Sequence, residues 1–326
     1  ELKNARCLGS AYNEMGNLMA QKGELADALM YYLTSLKIRQ EANLESDISR
    51  SLINIGLMYR RMGSHRNAQK YFEQALELIS DKTDPIGKAL VYIHLGNTLR
   101  DLTNPNQALT YYRKALDLRR ATGNKLAISQ SLRSMSNALS DLNNFQEADS
   151  YLLQALDILK ELGDERAIAD TYNELGNLKQ KEGKLDRALT YFNDASNLYA
   201  KNFELEKRGL CLRKIGEIQV KLGRYNEAYE NLQLAKQLAE KTRNHKLLEL
   251  TLLALHDYYA KKGLFQEALN TYYQHINLRD SLNAILQKES IWQASLDLEL
   301  DKKAGEIRAM EGEVESLRAE AQLKSI

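Results

Sequence analysis

The amino-acid sequence predicts an all-α protein: a right-handed superhelical solenoid of seven helix-turn-helix repeats, followed by a long C-terminal helix. The first observation is a small residue that recurs every 40 positions, replaced once by serine and once by histidine: Gly16, Gly56, Gly96, Ser136, Gly176, Gly216 and His256. The second is an alanine with the same period and no exception: Ala28, Ala68, Ala108, Ala148, Ala188, Ala228 and Ala268. A fixed period of this kind is the signature of a solenoid, in which each repeat packs on its neighbours. The third is that only two prolines occur in 326 residues, which suits an almost wholly helical chain.

The fifth repeat illustrates how each unit is expected to fold. Its first half has apolar residues at helical spacing: Ile168, Tyr172, Leu175 and Leu178. Gly183 then interrupts the pattern, as glycine does just beyond the end of a helix. The second half again has apolar residues along one helical face: Ala188, Leu189, Phe192, Ala195 and Leu198. Each repeat is therefore predicted to be an antiparallel pair of helices joined by a short turn.

The turn between the two helices recurs in other repeats. It reads Lys22-Gly23, Met62-Gly63, Leu222-Gly223 and Lys262-Gly263. In the third repeat Asn104-Pro105 takes its place, which predicts an N-cap followed by proline at the first helical position. Asp84-Pro85 predicts the same kind of helix start at the beginning of that repeat.

The small residues have a predicted packing role. Where two helices cross at close range, glycine or alanine lets the axes approach. We expect Gly176 to lie where the first helix meets Ala188 of the second, with Tyr172 and Phe192 filling the remaining gaps.

Composition argues against several classes of function. With 45 basic and 44 acidic side chains, the net charge of +1 gives no general attraction to nucleic acid or to an anionic membrane. No apolar run approaches the ~18 residues that a membrane span needs, and no segment reads as a signal peptide. Cys7 and Cys211 lie five repeats apart, too far for a disulfide. We therefore expect a reducing, cytoplasmic location, with a periplasmic sensor region as the alternative.

The chain carries no recognisable catalytic motif. It has no glycine-rich phosphate loop, no nucleophile elbow and no HExxH sequence. His256 and His275 replace small residues in the last repeat, either as a paired metal or proton site or because a terminal repeat has only one neighbour. We favour the second interpretation, and the other histidines have no ligand spacing. We expect no catalytic residue, no metal and no cofactor, and we predict that this chain is not an enzyme, although an output domain outside it could be catalytic.

Six residues of the fifth repeat carry a resemblance to a known family: Tyr172, Leu175, Gly176, Ala188, Phe192 and Ala195. Their order resembles the consensus of the tetratricopeptide repeat (TPR). The unit is longer than the roughly 34 residues usual in that family and lacks its terminal proline. Similar long repeats occur in kinesin light chain, in quorum-sensing Rap proteins and in bacterial sensor proteins. The resemblance covers about residues 5–280 and implies a fold more than a function, because this fold serves many unrelated partners.

Beyond Leu278 a different period begins. Apolar residues recur at heptad spacing, which is typical of a two-stranded coiled coil. The expected dimerisation residues are Leu296, Leu300, Ile307, Met310, Val314 and Leu317. The alternative is a helix that folds back to cap the last repeat, anchored by Ile291 and Trp292. We accordingly divide the chain into a seven-repeat array, residues 1–280, and a C-terminal helix or coiled-coil linker, residues 281–326.

The tail also resembles segments of bacterial signalling proteins. The stretch from Asn277 to Leu282 (NLRDSL) and the charged helix after it are similar to linkers that join a TPR array to an output domain. Such output domains are diguanylate cyclases, histidine kinases, nucleotide cyclases or DNA-binding modules. The chain begins at Glu1 without a methionine, so we expect a piece of a longer protein. The resemblance implies a regulatory, ligand-sensing module; the alternative is a free-standing adaptor that binds cargo or partner peptides.

In a TPR solenoid the first helices of the repeats line the concave groove. The residue that follows each small ladder residue is expected to point into this groove. The residue one helical turn before that one is expected to do the same. The predicted peptide-binding asparagines are Asn13, Asn17, Asn97, Asn137, Asn173 and Asn177. Related proteins hold peptides with asparagines at the first of these positions, here Asn17, Asn97, Asn137 and Asn177. Since an amide offers both a donor and an acceptor, such a row can hold an extended peptide backbone. The alternative is that the amides tie adjacent helices together.

Three arginines, Arg60, Arg100 and Arg133, complete the predicted binding residues, with Asp101 and Asp141 expected close to them. A guanidinium grips a carboxylate in a bidentate manner, which favours a partner with an acidic side chain or a terminal carboxylate. A solvated, salt-bridged face would show the same residues. We expect a protein or peptide partner and a homodimer through the C-terminal helix, with no nucleic acid and no membrane contact.

Overall fold

The computed structural model describes residues 2–80, 84–285, 287–288 and 295, and every regular element among them is an α-helix. The helices are α1 (Leu2–Lys22), α2 (Leu25–Glu41), α3 (Glu45–Arg61), α4 (His65–Leu78), α5 (Pro85–Asp101), α6 (Pro105–Thr122), α7 (Lys125–Asp141), α8 (Phe145–Leu162), α9 (Glu165–Lys181), α10 (Leu185–Lys201), α11 (Leu205–Lys221), α12 (Tyr225–Lys241) and α13 (His245–Lys261). Residues 265–278 are helical as well and complete a seventh pair. The predicted all-α fold is confirmed.

Consecutive helices pack against each other in chain order. Each odd-numbered helix packs on the even-numbered helix that follows it, and each such pair packs on the next pair. Contacts between more distant parts of the chain are few, as expected of a solenoid whose repeats touch only their neighbours. The predicted TPR solenoid of helix-turn-helix units is therefore confirmed.

The turns inside the repeats use a left-handed backbone conformation that favours glycine. Gly183, for example, has φ 81° between α9 and α10. The third repeat places Thr103 there instead, at φ 58°, and then begins α6 with the predicted cap. The side chain of Asn104 accepts a hydrogen bond from the Gln107 amide, 3.3 Å away, ahead of the proline at the first helical position.

The glycine ladder marks the closest approach of the two helices in a repeat. A Cβ atom placed on Gly96 would lie 2.3 Å from the ring of Tyr112, and one on Gly176 would lie 2.6 Å from the ring of Phe192. The sequence predicts that Phe192 fills a gap beside Gly176, and its ring is the nearest side chain to that glycine, in the space that the missing Cβ leaves free.

Serine and histidine replace glycine in this ladder where they form a hydrogen bond. Ser136 Oγ donates to the carbonyl oxygen of Ala148 over 2.8 Å, and His256 Nδ1 lies 3.0 Å from the carbonyl oxygen of Ala268. The two acceptors are the ladder alanines of the same repeats. The helix pair therefore remains closely packed, because a hydrogen bond joins the two helices where glycine would have allowed direct contact.

The ladder alanines form the centre of the core, since all seven are at most 4% exposed.

None of the described helices is both long and apolar enough to cross a membrane. The chain divides into two compact units, residues 1–278 and residues 279–326. In the second unit the described residues 279–285, 287–288 and 295 are helical. The predicted dimerisation residues Leu296, Leu300, Ile307, Met310, Val314 and Leu317 lie outside the described residues.

Candidate binding site on the first helices

Ion pairs join the first helices of successive repeats. Arg60 Nε on α3 lies 2.7 Å from Asp101 Oδ2 on α5, and 41 residues separate the two. Arg100 Nε on α5 lies 2.7 Å from Asp141 Oδ2 on α7 in the same way. Lys181 on α9 donates to the other carboxylate oxygen of Asp141 over 3.0 Å. Charged side chains thus connect α3, α5, α7 and α9 along one surface, which we call the first-helix face.

Arg133 forms a bidentate pair on the same face. Its Nε and Nη2 atoms on α7 donate to the two carboxylate oxygens of Glu174 on α9, over 2.9 and 2.8 Å. Both side chains are 18% exposed, so the pair is largely shielded from water. Burial lowers the pKa of Arg133, but the hydrogen bonds and charge of Glu174 raise it overall. Each of the three predicted arginines is therefore paired with a carboxylate of the next repeat.

Two of the predicted asparagines are bound by tyrosine hydroxyls of their own repeats. Tyr32 donates to Asn17 Oδ1 and Tyr112 donates to Asn97 Oδ1, both over 2.7 Å. Burial raises the pKa of Tyr112 to about 12, so its hydroxyl keeps its proton and remains a donor. These amides join the two helices of one repeat.

Asn13 and Asn173 are bound to the first helix of the next repeat. Asn13 Oδ1 accepts from Asn54 Nδ2 over 2.8 Å, and Asn13 itself is only 6% exposed. Asn173 Oδ1 lies 3.6 Å from the thiol of Cys211. Burial raises the pKa of this thiol to about 12, which keeps it protonated and able to donate. Four of the six predicted asparagines therefore make contacts that hold the solenoid together.

Asn137 and Asn177 have a different setting, because both line a cavity of about 500 Å³. Pockets for ligands commonly measure about 300–1,000 Å³. The amide and charged side chains that line this cavity are Arg100, Asn137, Asp141, Glu174, Asn177, Gln180 and Lys181. The predicted binding residues Arg100, Asn137 and Asn177 thus come together here, and Arg133 borders the cavity through its pair with Glu174.

The second helices explain why the Asn137 amide is available. At the position of Tyr32 and Tyr112, the fourth repeat has Leu152, which has no hydroxyl to donate. Within the described part of the chain, the Asn137 side chain forms no hydrogen bond. The fifth repeat has Phe192 at this position, and Asn177 is bound differently.

Asn177 is bound by a lysine of the next repeat. Lys214 Nζ on α11 donates to Asn177 Oδ1, which leaves the amide NH₂ of Asn177 available as a donor. The same ammonium lies 5.2 Å from the ring centroid of Phe192, within the range of a cation–π contact. Burial is the main cause that lowers the pKa of Lys214, and the positive charge of Arg213 lowers it further. Lys214 therefore binds the amide oxygen of Asn177 and the aromatic face of Phe192.

Sequence reasoning missed Glu174, Gln180 and Lys181 of this site, together with Lys214, which binds Asn177. A signal for one of them was present, because Arg133 and Glu174 have the same 41-residue separation as Arg60 and Asp101. A search of the sequence for oppositely charged residues 41 positions apart would have found Glu174. In the described part of the chain no cluster of histidine, cysteine and carboxylate side chains could hold a metal ion.

Stacked helix pairs with a polar cavity on their first helices define an α-solenoid of the tetratricopeptide class. Two family models match the chain: the tetratricopeptide repeat at residues 7–81 and 87–161, and the soluble NSF attachment protein at residues 129–307. The chain is a tetratricopeptide-repeat protein, and over residues 129–307 it belongs to the family that the soluble NSF attachment protein model describes. The two models overlap at residues 129–161, so both match the helix pair formed by α7 and α8.

Three solved structures are similar to this chain. The apo form of RapI has 17% identity and a TM-score of 0.66, covering 85% of this chain and 99% of RapI. A Rap protein complexed with competence and sporulation factor has 15% identity and a TM-score of 0.58, covering 88% and 98%. A signal transduction ATPase with a tetratricopeptide-repeat sensor, from Pyrococcus horikoshii, has 16% identity and a TM-score of 0.69, covering 88% of this chain and 45% of the ATPase. At these identities the likeness is one of fold. Among curated proteins none matches this chain.

Proposed function

We propose that this chain is a non-catalytic module that binds a protein or peptide in the cavity between α7 and α9. The observation that carries the proposal is that Asn137 and Asn177 have amide groups available in this cavity, one repeat apart. A side-chain amide offers the donor and acceptor that a peptide bond needs, whatever the side chains of the peptide are. The Rap protein that was solved with competence and sporulation factor has the same fold, which supports a peptide-type ligand.

The charges of the cavity support binding rather than catalysis. Burial raises the pKa of Asp141, but the hydrogen bonds and charges of Arg100 and Lys181 lower it overall. A carboxylate held in this way stays ionised at neutral pH and is poorly suited to general acid or base catalysis. Glu174 has both oxygens bound by Arg133. We therefore assign the cavity the role of recognition.

We infer further that the module is the regulatory region of a bacterial signal-transduction protein and acts in the cytoplasm. Residues 281–326 would form a dimerising helix that leads to an output domain, and their heptad spacing supports this role. The fold shared with the sensor-containing ATPase of Pyrococcus horikoshii is consistent with a sensor region. The alternative is a free-standing adaptor that binds cargo or partner peptides, for which a monomer is sufficient.

The binding proposal is tested on an array of random-sequence decapeptides probed with the labelled full chain. Asn137→Ala combined with Asn177→Ala removes both available amides, and we expect about tenfold weaker binding to the peptides that the unsubstituted chain selects. Asn193→Ala with Asn197→Ala is the matched control, because both residues are exposed on α10 and lie outside the cavity. Equal binding by the cavity variant and the control, with both folded, would contradict the proposal.

A further inference from the structure

We propose that the open side of the last repeat is a docking surface for an amphipathic α-helix of a partner protein, one that carries a lysine or arginine four residues before an apolar residue. This terminal surface consists of Asp257 on α13 and of Phe265, Leu269 and Tyr272 on the helix of residues 265–278. It lies outside the cavity between α7 and α9, and the inference goes beyond the binding function proposed there.

The terminal surface is exposed where earlier repeats are covered. Tyr272 is 40% exposed, whereas the equivalent residues of the six earlier second helices, from Tyr32 to Leu232, are at most 3% exposed. Phe265 is 74% exposed, and its six counterparts are half-buried. Inside the array the first helix of the following repeat packs on each second helix. Among the described residues of the array, nothing covers the last helix in this way.

The internal junctions show which side chains such a helix contacts. Tyr229 of the sixth repeat lies 5.4 Å, between ring centroids, from Tyr258 of the seventh, and Tyr225 lies 6.3 Å from the same ring. Phe265 and Leu269 are the equivalents of Tyr225 and Tyr229 one repeat later. An apolar side chain at the position of Tyr258 in a docked helix would therefore pack on Phe265 and Leu269.

The junction after the fifth repeat shows where a basic side chain fits. Lys214 donates to Asn177 Oδ1 and lies 5.2 Å from the ring centroid of Phe192. An oxygen on the first helix and an aromatic ring on the second helix thus hold one ammonium of the next repeat. The equivalents of Asn177 and Phe192 in the last repeat are Asp257 and Tyr272.

Asp257 has no partner in the part of the chain that the structure describes. In the first and third repeats the tyrosine equivalent to Tyr272 donates to the asparagine equivalent to Asp257. That tyrosine ring needs the space of the ladder glycine, since a Cβ atom on Gly16 would lie 2.7 Å from the ring of Tyr32. His256 fills this space in the last repeat, and its ring lies 5.1 Å from that of Tyr272. The ring of Tyr272 therefore lies further out, and the Asp257 carboxylate is left for a ligand.

The charge of the docked helix follows from Asp257. A carboxylate without a partner attracts a cation, and the ring of Tyr272 offers the cation a second contact. The α1 helix of a second copy fits poorly, because it has Glu14 where α11 has Lys214, and two carboxylates would face each other. The basic and apolar positions are four residues apart in each first helix, and residues four apart lie on one helix face.

The probe is a fluorescent peptide with the sequence of α11, because this helix has Lys214 at the basic position and Ile218 at the apolar position. Cys211→Ala removes the thiol from the peptide. A lactam bridge from Glu206 to Leu210→Lys, at two exposed positions, holds the peptide helical, which circular dichroism verifies. A second peptide carries Lys214→Glu in addition. Fluorescence anisotropy measures the binding of each peptide to the full chain.

Asp257→Lys reverses the charge of the terminal surface at an exposed residue. Asp157→Lys is the matched control, because Asp157 is an exposed aspartate on α8, outside the terminal surface. We expect the lysine peptide to bind the unsubstituted chain and the control equally, and Asp257→Lys at least about tenfold more weakly. The Lys214→Glu peptide should prefer Asp257→Lys. Recovery of binding when both charges are reversed would show a direct contact, which a merely structural effect of Asp257→Lys does not produce.

Three outcomes would overturn the inference. The first is that the lysine peptide does not bind to the unsubstituted chain. The second is that Asp257→Lys binds both peptides as the unsubstituted chain does. The third is self-association of the unsubstituted chain that Phe265→Ser abolishes, which would assign the terminal surface to a second copy of this chain.

Discussion

The hydroxyl of Tyr112 donates a hydrogen bond to the side-chain oxygen of Asn97 over 2.7 Å, joining the two helices of the third repeat. Tyr32 and Asn17 have the same relationship in the first repeat. In the fourth repeat Leu152 stands where the tyrosine would be, and Asn137 lines the cavity. Asparagines at one position of the repeat therefore have two different settings, and in the third and fourth repeats the residue on the second helix accounts for the difference.

Asn97→Ala should destabilise the protein. The substitution leaves the Tyr112 hydroxyl without its acceptor in a side chain that is 0% exposed. The hydroxyl still accepts from Arg100, but its buried proton has no acceptor. An unmade buried hydrogen bond costs about 1–3 kcal/mol, so we expect the free energy of unfolding to fall by about 1 kcal/mol. Urea denaturation followed by circular dichroism measures this difference.

Asn137→Ala is the matched control, and we expect its effect to stay within about 0.5 kcal/mol because no hydrogen bond is lost. Combining Asn97→Ala with Tyr112→Phe removes both partners and should recover part of the loss. Equal losses for Asn97→Ala and Asn137→Ala would contradict the two settings described above.

Phe203→Gly should stabilise the protein. Phe203 lies in the turn between α10 and α11 with φ 58°, a left-handed conformation that is unfavourable for a bulky residue. Its side chain is 85% exposed, so removing it sacrifices little packing. Since glycine adopts positive φ readily, we expect a gain of about 0.5–1 kcal/mol, measured by thermal unfolding.

Gly163→Ala tests the same argument in the opposite direction. Gly163 occupies the equivalent turn one repeat earlier, at φ 68°, and nothing lies within 4 Å of a Cβ placed there. Any loss of stability therefore comes from the backbone and not from a clash. We expect Gly163→Ala to lower the free energy of unfolding by about 1 kcal/mol. A melting temperature that is lowered by Phe203→Gly and raised by Gly163→Ala would refute this explanation.

His94 should make stability depend on pH. Its ring stacks on Phe72 with centroids 5.3 Å apart. Burial, followed by the charges of Arg60 and Arg119, lowers the pKa of His94 from 6.5 to about 4. Because the folded pKa lies below the unfolded one, the unfolded chain binds the proton first as the pH falls. The contribution of neutral His94 to the stability is fully present well above pH 6.5, and it is lost as the pH falls from 6.5 to about 4.

Between pH 7 and pH 5 we expect His94 alone to account for about 2 kcal/mol of lost stability. His94→Gln should remove this part of the pH dependence, measured as the difference between the two unfolding curves. His245→Gln, a change at an exposed histidine, should keep the dependence of the unsubstituted chain. Parallel pH profiles for the unsubstituted chain and His94→Gln would show that His94 is not responsible.

The heptad residues of the tail predict a dimer. We expect light scattering to give about twice the chain mass of 37.2 kDa over a range of concentrations. Leu300→Asp with Ile307→Asp should produce a monomer, whereas Asp301→Asn with Arg308→Gln, outside the heptad seam, should leave the dimer intact. A monomer at every concentration for the unsubstituted chain would favour the adaptor over the signalling module.

The fold was predictable from the sequence because solenoid packing is local. Each repeat must fit its neighbour in the same way, so the same small residue is needed at the same position, and the period becomes visible. The helix starts at Asp84 and Asn104 were predictable for a similar reason, since a capping side chain acts only three residues away. How closely the Phe192 ring approaches Gly176 was not, because it depends on how one ring lies between two helices.

The sequence by itself determined the repeat, its seven copies and the helices on which the polar residues lie. Only the tertiary structure decided which of those residues have hydrogen-bonding groups left unoccupied. Asn97 is occupied by a tyrosine 15 residues away, and Asn177 by a lysine 37 residues away on the next repeat. A side-chain hydrogen bond depends on distances of a few tenths of an ångström between separate helices. Periodicity places a residue on a helix face, but packing between helices determines its partner.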